Sequence, residues 1–160
     1  MITIPEADDM RALGAAIGRN AQPGDLVMLT GPLGAGKTTM TQGIAAGLGV
    51  KGTVASPTFV IAQIHHGESM DLVHVDAYRL GSVEELDALD LDTTLEESLT
   101  VVEWGQGKVE VLTDDRLELL ISRPMGTNFD DETRTIEFVA HGERGEELLA
   151  AVLSDLGGAK

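Results

Sequence analysis

The 160-residue chain has no cysteine, which excludes disulfide scaffolds, thiolate metal sites and cysteine nucleophiles together. No apolar run approaches the roughly 18 residues of a membrane-spanning helix. The opening Met1-Ile-Thr-Ile-Pro-Glu6 has no basic region followed by an apolar stretch, so a cytoplasmic protein is expected. Basic residues are scarce: 11 Lys and Arg stand against 27 Asp and Glu, a net charge of −16. The deficit sits in one half, because residues 81–160 hold 20 acids and 6 bases whereas residues 1–80 hold 7 and 5. Such a surface repels a nucleic-acid backbone, whose binding depends on cations displacing counterions. The acidity therefore serves solubility or offers a docking face to a basic partner protein.

Apolar residues make up 42% and charged residues 24% of the chain, the usage of an ordinary globular protein. The length predicts one domain over residues 1–160, since two full catalytic domains do not fit. Strand-like and helix-like segments alternate without internal repeats, which predicts α/β architecture. Met10, Leu13 and Ile17 mark an amphipathic helix ending near Asn20, and Asp25–Thr30 is a β-compatible run. Lys37–Leu48 carries Met40, Ile44 and Leu48 at helical spacing before a glycine stop at Gly49. Thr58–Ile64 and Asp71–Asp76 read as two strands of a hairpin, with His65 to Ser69 as its polar tip. A short acidic helix is expected over Val83–Leu91, and strands over Leu99–Glu103, Leu117–Ile121 and Thr135–Val139. A loop is expected over 124–133 and a final helix over Glu143–Leu156, with Leu148, Leu149, Val152 and Leu156 as its apolar stripe.

The chemistry is carried by Gly31-Pro-Leu-Gly-Ala-Gly-Lys37-Thr38, which fits the phosphate-binding pattern G-x-x-x-x-G-K-[ST] between a predicted strand and a predicted helix. Glycines suit this loop because backbone N–H groups must turn inward around phosphate oxygens without a Cβ in the way. The following helix adds the positive end of its dipole. Gly31, Leu33, Gly34, Ala35, Gly36, Lys37, Thr38 and Thr39 are the expected nucleotide-binding residues. Lys37 reaches the β and γ phosphates, and the Thr38 hydroxyl is a magnesium ligand. ATP or ADP with Mg2+ is the implied ligand.

A phosphate loop needs a carboxylate from a neighbouring strand end to hold magnesium and order the nucleophile. Asp76 ends one predicted strand, where period-2 alternation puts it on one face with His74, and Glu103 ends another. Spacing does not decide which acid touches the metal. Ser56-Pro57-Thr58 lies where many such proteins keep a switch that senses the γ-phosphate, and Pro57 restrains it. Trp104, the single tryptophan, follows Glu103 directly and is a core residue or a cover at the nucleotide mouth. His65 and His66 are adjacent and without cysteine partners, which argues against a shared metal.

Taken in order, Gly31-Pro-Leu-Gly-Ala-Gly-Lys-Thr-Thr39, Ser56-Pro-Thr-Phe59, His74-Val-Asp-Ala-Tyr-Arg79 and Glu103-Trp104 resemble the bacterial TsaE (YjeE) family over residues 8–122. Pro32 departs from the aspartate that many members carry there, at a position without a side-chain duty in the motif. The resemblance implies a P-loop NTPase-like three-layer sandwich with a central, mostly parallel sheet. It also implies a magnesium-dependent ATPase that supports threonylcarbamoyl modification of adenosine in ANN-decoding tRNAs. The implied partner is a TsaD–TsaB-like complex that stimulates weak hydrolysis and itself holds the tRNA. Residue by residue, Lys37, Asp76 and Glu103 become the catalytic set, and Thr38, Glu103 and Asp76 the metal donors. Ser56 and Thr58 become switch residues and Trp104 a neighbour of the nucleotide. The rivals are a small-molecule kinase, against which the seven scattered arginines argue, and a nucleotide-gated binding module. A GTPase is disfavoured because no Asn-Lys-x-Asp signature occurs.

Overall fold

The computed structural model describes residues 2–31, 36–51, 62–76, 97–103, 115–122 and 133–158. In chain order these form β1 (Ile2–Ile4), α1 (Ala7–Asn20), β2 (Leu26–Thr30), α2 (Lys37–Leu48), β3 (Ala62–His65), β4 (Asp71–Asp76), β5 (Ser98–Glu103), β6 (Arg116–Ser122), β7 (Arg134–His141) and α3 (Gly142–Gly158). The seven strands make one sheet in the order β1-β7-β6-β2-β5-β4-β3. Its centre, β6-β2-β5-β4, is parallel, and β3, β7 and β1 pair antiparallel at the two margins. The fold is α/β with a mostly parallel central sheet, as expected.

Parallel strands in the middle of such a sheet are covered on both faces, so they read as unbroken apolar runs. Every residue of β5 is buried, and so are Leu26, Val27, Met28 and Leu29 of β2. One sheet face, carrying Val27, Leu29, Leu99, Val101, Leu117 and Leu119, shares a core with all three helices. Met10 and Leu13 come from α1, Met40 and Ile44 from α2, and Leu148 and Val152 from α3. The alternate residues Met28, Val73, Val75 and Val102 are buried on the other face. The expected helix over 83–91 and the loop over 124–132 lie outside the described residues.

Several boundaries differ from the sequence reading. Helix α1 starts at Ala7, three residues before its first apolar marker, because the Asp9 carboxylate accepts a hydrogen bond from the Glu6 N–H at 3.1 Å and caps the first turn. Strand β1 has only three residues, too few to show a period. It exists because Ile2, Thr3 and Ile4 find register with Ile136, Thr135 and Arg134 of β7. The hairpin is confirmed, with Gln63 opposite His74, but His65 belongs to β3 and pairs with Leu72 rather than forming the tip. His66 does sit at the exposed turn, its Nδ1 3.2 Å from Asp71.

At the amino end of β2, Asp25 is 4% exposed and carries a buried charge. The Arg144 guanidinium of α3 donates to both its oxygens, Nε to Oδ1 and Nη2 to Oδ2, each at 2.8 Å. Nη2 also donates to the Asn20 carbonyl at 3.2 Å, and the Gln22 N–H donates to Asp25 Oδ2 at 2.7 Å. The hydrogen bonds to Asp25, foremost, and the weaker one to Glu147 hold Arg144 above the usual arginine range against the cost of burial. Bidentate geometry makes this the pair that fastens α3 to the α1–β2 connection.

Helices α1 and α2 pack with backbone against backbone. A Cβ added at Gly14 would lie 2.3 Å from the Met40 carbonyl oxygen, and one at Gly43 2.3 Å from that of Arg11. Gly18 and Gly47 repeat the contact one turn along, against the oxygens of Ile44 and Ala15. We expect Gly14→Ala to destabilise the protein by about 1–3 kcal/mol, because overpacking outweighs the roughly 1 kcal/mol that alanine gains in helix propensity. Gly157→Ala, where nothing lies within 4 Å, should be neutral or slightly stabilising. Urea titrations of both variants check the contrast.

Candidate nucleotide site

Strand β2 lies between β5 on one side and β6 on the other, so connections leaving its carboxyl end and that of β5 diverge to opposite sides. A crevice outside the strand carboxyl ends at such a switch point is where open α/β sheets bind ligands. The carboxyl end of β2, with Gly31 after it, lies at that place, and β2 leads in the chain to α2. Gly36 precedes α2 with φ 110°, a conformation L side chains rarely adopt, and a Cβ there would meet Met10 Cε at 3.1 Å. This turn delivers Lys37 as the first residue of the helix.

Lys37 is 6% exposed, and its ammonium donates to the Gly31 carbonyl at 2.7 Å, across the loop. A cation at a helix N-terminus is opposed by the dipole, and burial adds a desolvation cost. An anion at this position reverses both penalties and receives the N–H groups that the first turn leaves unpaired. Thr38 and Thr39, both partly buried, continue the same turn.

Register places the two acids beside this loop. Glu103 is the Cα partner of Leu29 in β2 and of Asp76 in β4, so Leu29, Glu103 and Asp76 form one row at the carboxyl edge. Glu103 is 4% exposed, and its Oε2 lies 2.5 Å from Nε2 of His74, which is wholly buried. The sequence reading put His74 on the acid-bearing face but gave it no role. The contact with Glu103 needs the β4–β5 register, which no single-strand pattern supplies. His65 has its imidazole held below the ordinary value of 6.5, first by burial and then by the charge of His74.

Of the expected site residues, Lys37 and Gly31 are joined by a hydrogen bond, Gly36, Thr38 and Thr39 adjoin Lys37 in the chain, and register sets Glu103 and Asp76 level with Leu29, near the carboxyl end of β2. Leu33, Gly34, Ala35, Ser56, Thr58 and Trp104 lie outside the described residues. Among the described residues no group of three His, Asp or Glu side chains is arranged to hold a metal ion. Magnesium does not require one, since it takes one or two carboxylates and fills its shell with water and substrate phosphates. The hard oxygen donors at this edge fit that habit.

The family described as threonylcarbamoyl adenosine biosynthesis protein TsaE matches residues 4–135. The chain belongs to the TsaE family. Its relative in Streptomyces coelicolor, named tRNA threonylcarbamoyladenosine biosynthesis protein TsaE, is 53% identical over 91% of this chain and 99% of its own length. The protein of the same name in Bacillus subtilis is 37% identical over 88% of this chain and 85% of its own. The crystal structure of Bacillus subtilis YdiB is similar at a TM-score of 0.77 and 30% identity, covering 96% of this chain and 93% of that one. As a TsaE-family member the chain has a P-loop NTPase-like fold and a place in tRNA threonylcarbamoyladenosine biosynthesis. No described helix is long and apolar enough to cross a membrane.

The His65 shift makes stability depend on pH. Its folded-state value lies below the unfolded 6.5, so the unfolded chain binds the proton more readily and folding loses stability as pH falls through that range. Wild type should therefore lose stability relative to His65→Gln between about pH 8 and about pH 5.5. Denaturant titrations of the two proteins at both pH values measure it. A constant difference would contradict the burial argument.

Proposed function

We propose that this TsaE-family chain is the ATP-binding and ATP-hydrolysing subunit needed for threonylcarbamoyl modification of adenosine in ANN-decoding tRNAs, acting with a TsaD–TsaB-like complex. The observation that carries the ATPase reading is a buried lysine ammonium at the N-terminus of α2, next to the row that ends in Glu103 and Asp76. Backbone N–H groups of Gly31 and of Leu33 to Thr39 bind the phosphate chain, with Lys37 leaving the Gly31 carbonyl for the β and γ oxygens. Thr38, Asp76 and Glu103 are the residues that would hold Mg2+, which supplies charge neutralisation at the phosphates when bound. Ser56 and Thr58 sense the γ-phosphate and Trp104 covers the nucleotide.

Hydrolysis transfers the γ-phosphoryl group to water, breaking its bond to the β-phosphate oxygen and releasing ADP and inorganic phosphate. The protein contributes position and charge rather than covalent chemistry. Residues 1–160 act as one unit in this reading. Partners hold the tRNA, in keeping with 27 acids against 11 bases, and the work takes place in the cytoplasm.

Lys37→Ala should lose most ATP affinity, and Glu103→Gln should keep it while hydrolysing at least ~100-fold more slowly. Calorimetry with single-turnover assays checks both. Affinity of Lys37→Ala within about twofold of wild type would sink the phosphate-loop assignment. For the partner, association with the TsaD–TsaB-like complex should slow as salt rises, since screening beyond a ~8–10 Å Debye length weakens attraction to the acidic half. Surface plasmon resonance at several ionic strengths reads this. A salt-independent on-rate would leave the acidity to solubility.

A further inference from the structure

His74 is fully buried, yet it is a polar ring in a strand otherwise filled with Leu72, Val73 and Val75. An apolar residue there would avoid the cost of burying two ring nitrogens. One nitrogen, Nε2, is spent on Glu103 Oε2, and the other, Nδ1, has no hydrogen-bond partner among the described residues. A carboxylate only accepts, so Nε2 is the donor in this pair. Among the described residues nothing else hydrogen-bonds the ring.

The geometry points to His74 as a positioning residue that ties Oε2 of Glu103 into the sheet and leaves Oε1 as the oxygen available to the nucleotide and its attacking water. This rests on the ATPase reading and deepens it. Glu103 has rotatable bonds that a strand-end glutamate would sample freely, and a second anchored oxygen removes most of that freedom. The adjacent row partner in β4, Asp76, is also an acid. A fixed Glu103 matters for the chemical step, where a misplacement on the order of 1 Å costs rate steeply, and much less for holding ATP through the loop and Lys37.

Stereochemistry supplies a paired control. A glutamine amide nitrogen reaches about as far from Cβ as Nε2 of histidine, whereas that of asparagine reaches only as far as Nδ1. We expect His74→Gln to hydrolyse ATP within about threefold of wild type, and His74→Asn and His74→Leu to be about 10- to 100-fold slower in single turnover with protein in excess. All three should bind ATP within about twofold of wild type by calorimetry. Melting curves identify any variant that fails to fold, and if His74→Leu does, the Gln and Asn pair decides. Equal rates for Gln and Asn, or a loss of ATP affinity that accounts for the slowing, would overturn the assignment. Lys37→Ala run alongside separates the two levels. If it hydrolyses ATP like wild type, or wild type hydrolyses none, the ATPase reading has failed. If wild type is active, Lys37→Ala is dead and His74→Asn is unaffected, only the role of His74 has failed.

Discussion

Gly14 and Gly18 of α1 meet Gly43 and Gly47 of α2 with no side chain between them, and this contact fixes where α2 begins. A helix separated from its neighbour by ordinary side chains could slide or rotate by rearranging rotamers. Backbone against backbone has no rotamers to rearrange, so the crossing is held to a narrow range. Met40 and Ile44 then enter the core beside Leu13 and Ile17, and Met10 lies against Gly36 at the turn before α2. The position of Lys37 follows from that seam, and with it the geometry of the phosphate end.

Buried polar groups gather at opposite ends of β2, and their bonding differs. At the amino end Asp25 accepts from Arg144 and the Gln22 N–H, a closed arrangement in which both carboxylate oxygens are used. Charges satisfied in this way join elements without inviting a ligand. At the carboxyl end Lys37 donates to the Gly31 carbonyl, and Glu103 has one oxygen on a histidine whose other nitrogen has no hydrogen-bond partner among the described residues. Polar groups buried on such terms are costly, and a fold keeps them where function requires them.

The acid-rich second half adds a long-range field to this local arrangement. Residues 81–160 hold 20 acids, whereas the phosphate loop lies in the nearly balanced first half. In the proposed function a polyanionic nucleotide is bound by local backbone dipoles and one lysine inside a protein whose overall charge repels it. Short-range, partly desolvated interactions prevail because screening removes the distant charges while leaving the buried ones intact.

The sequence by itself carries the phosphate-loop pattern, because its glycines and lysine belong to one contiguous segment and need only a strand before and a helix after, and the structure supplies both as β2 and α2. It determined the amphipathic stripes of α1 and α3 and the apolar runs of β2 and β5, where period and composition are local properties. It named Asp76 and Glu103 as strand-end acids. Only the tertiary structure decided that β5 lies between β2 and β4, since parallel partners are chosen by long-range packing that leaves no mark within either strand. That choice brings Glu103 level with Leu29 and Asp76, and puts the ring of His74 on its carboxylate. The three residues of β1 became a strand for the same reason: a segment too short for a period takes its conformation from the partner it pairs with.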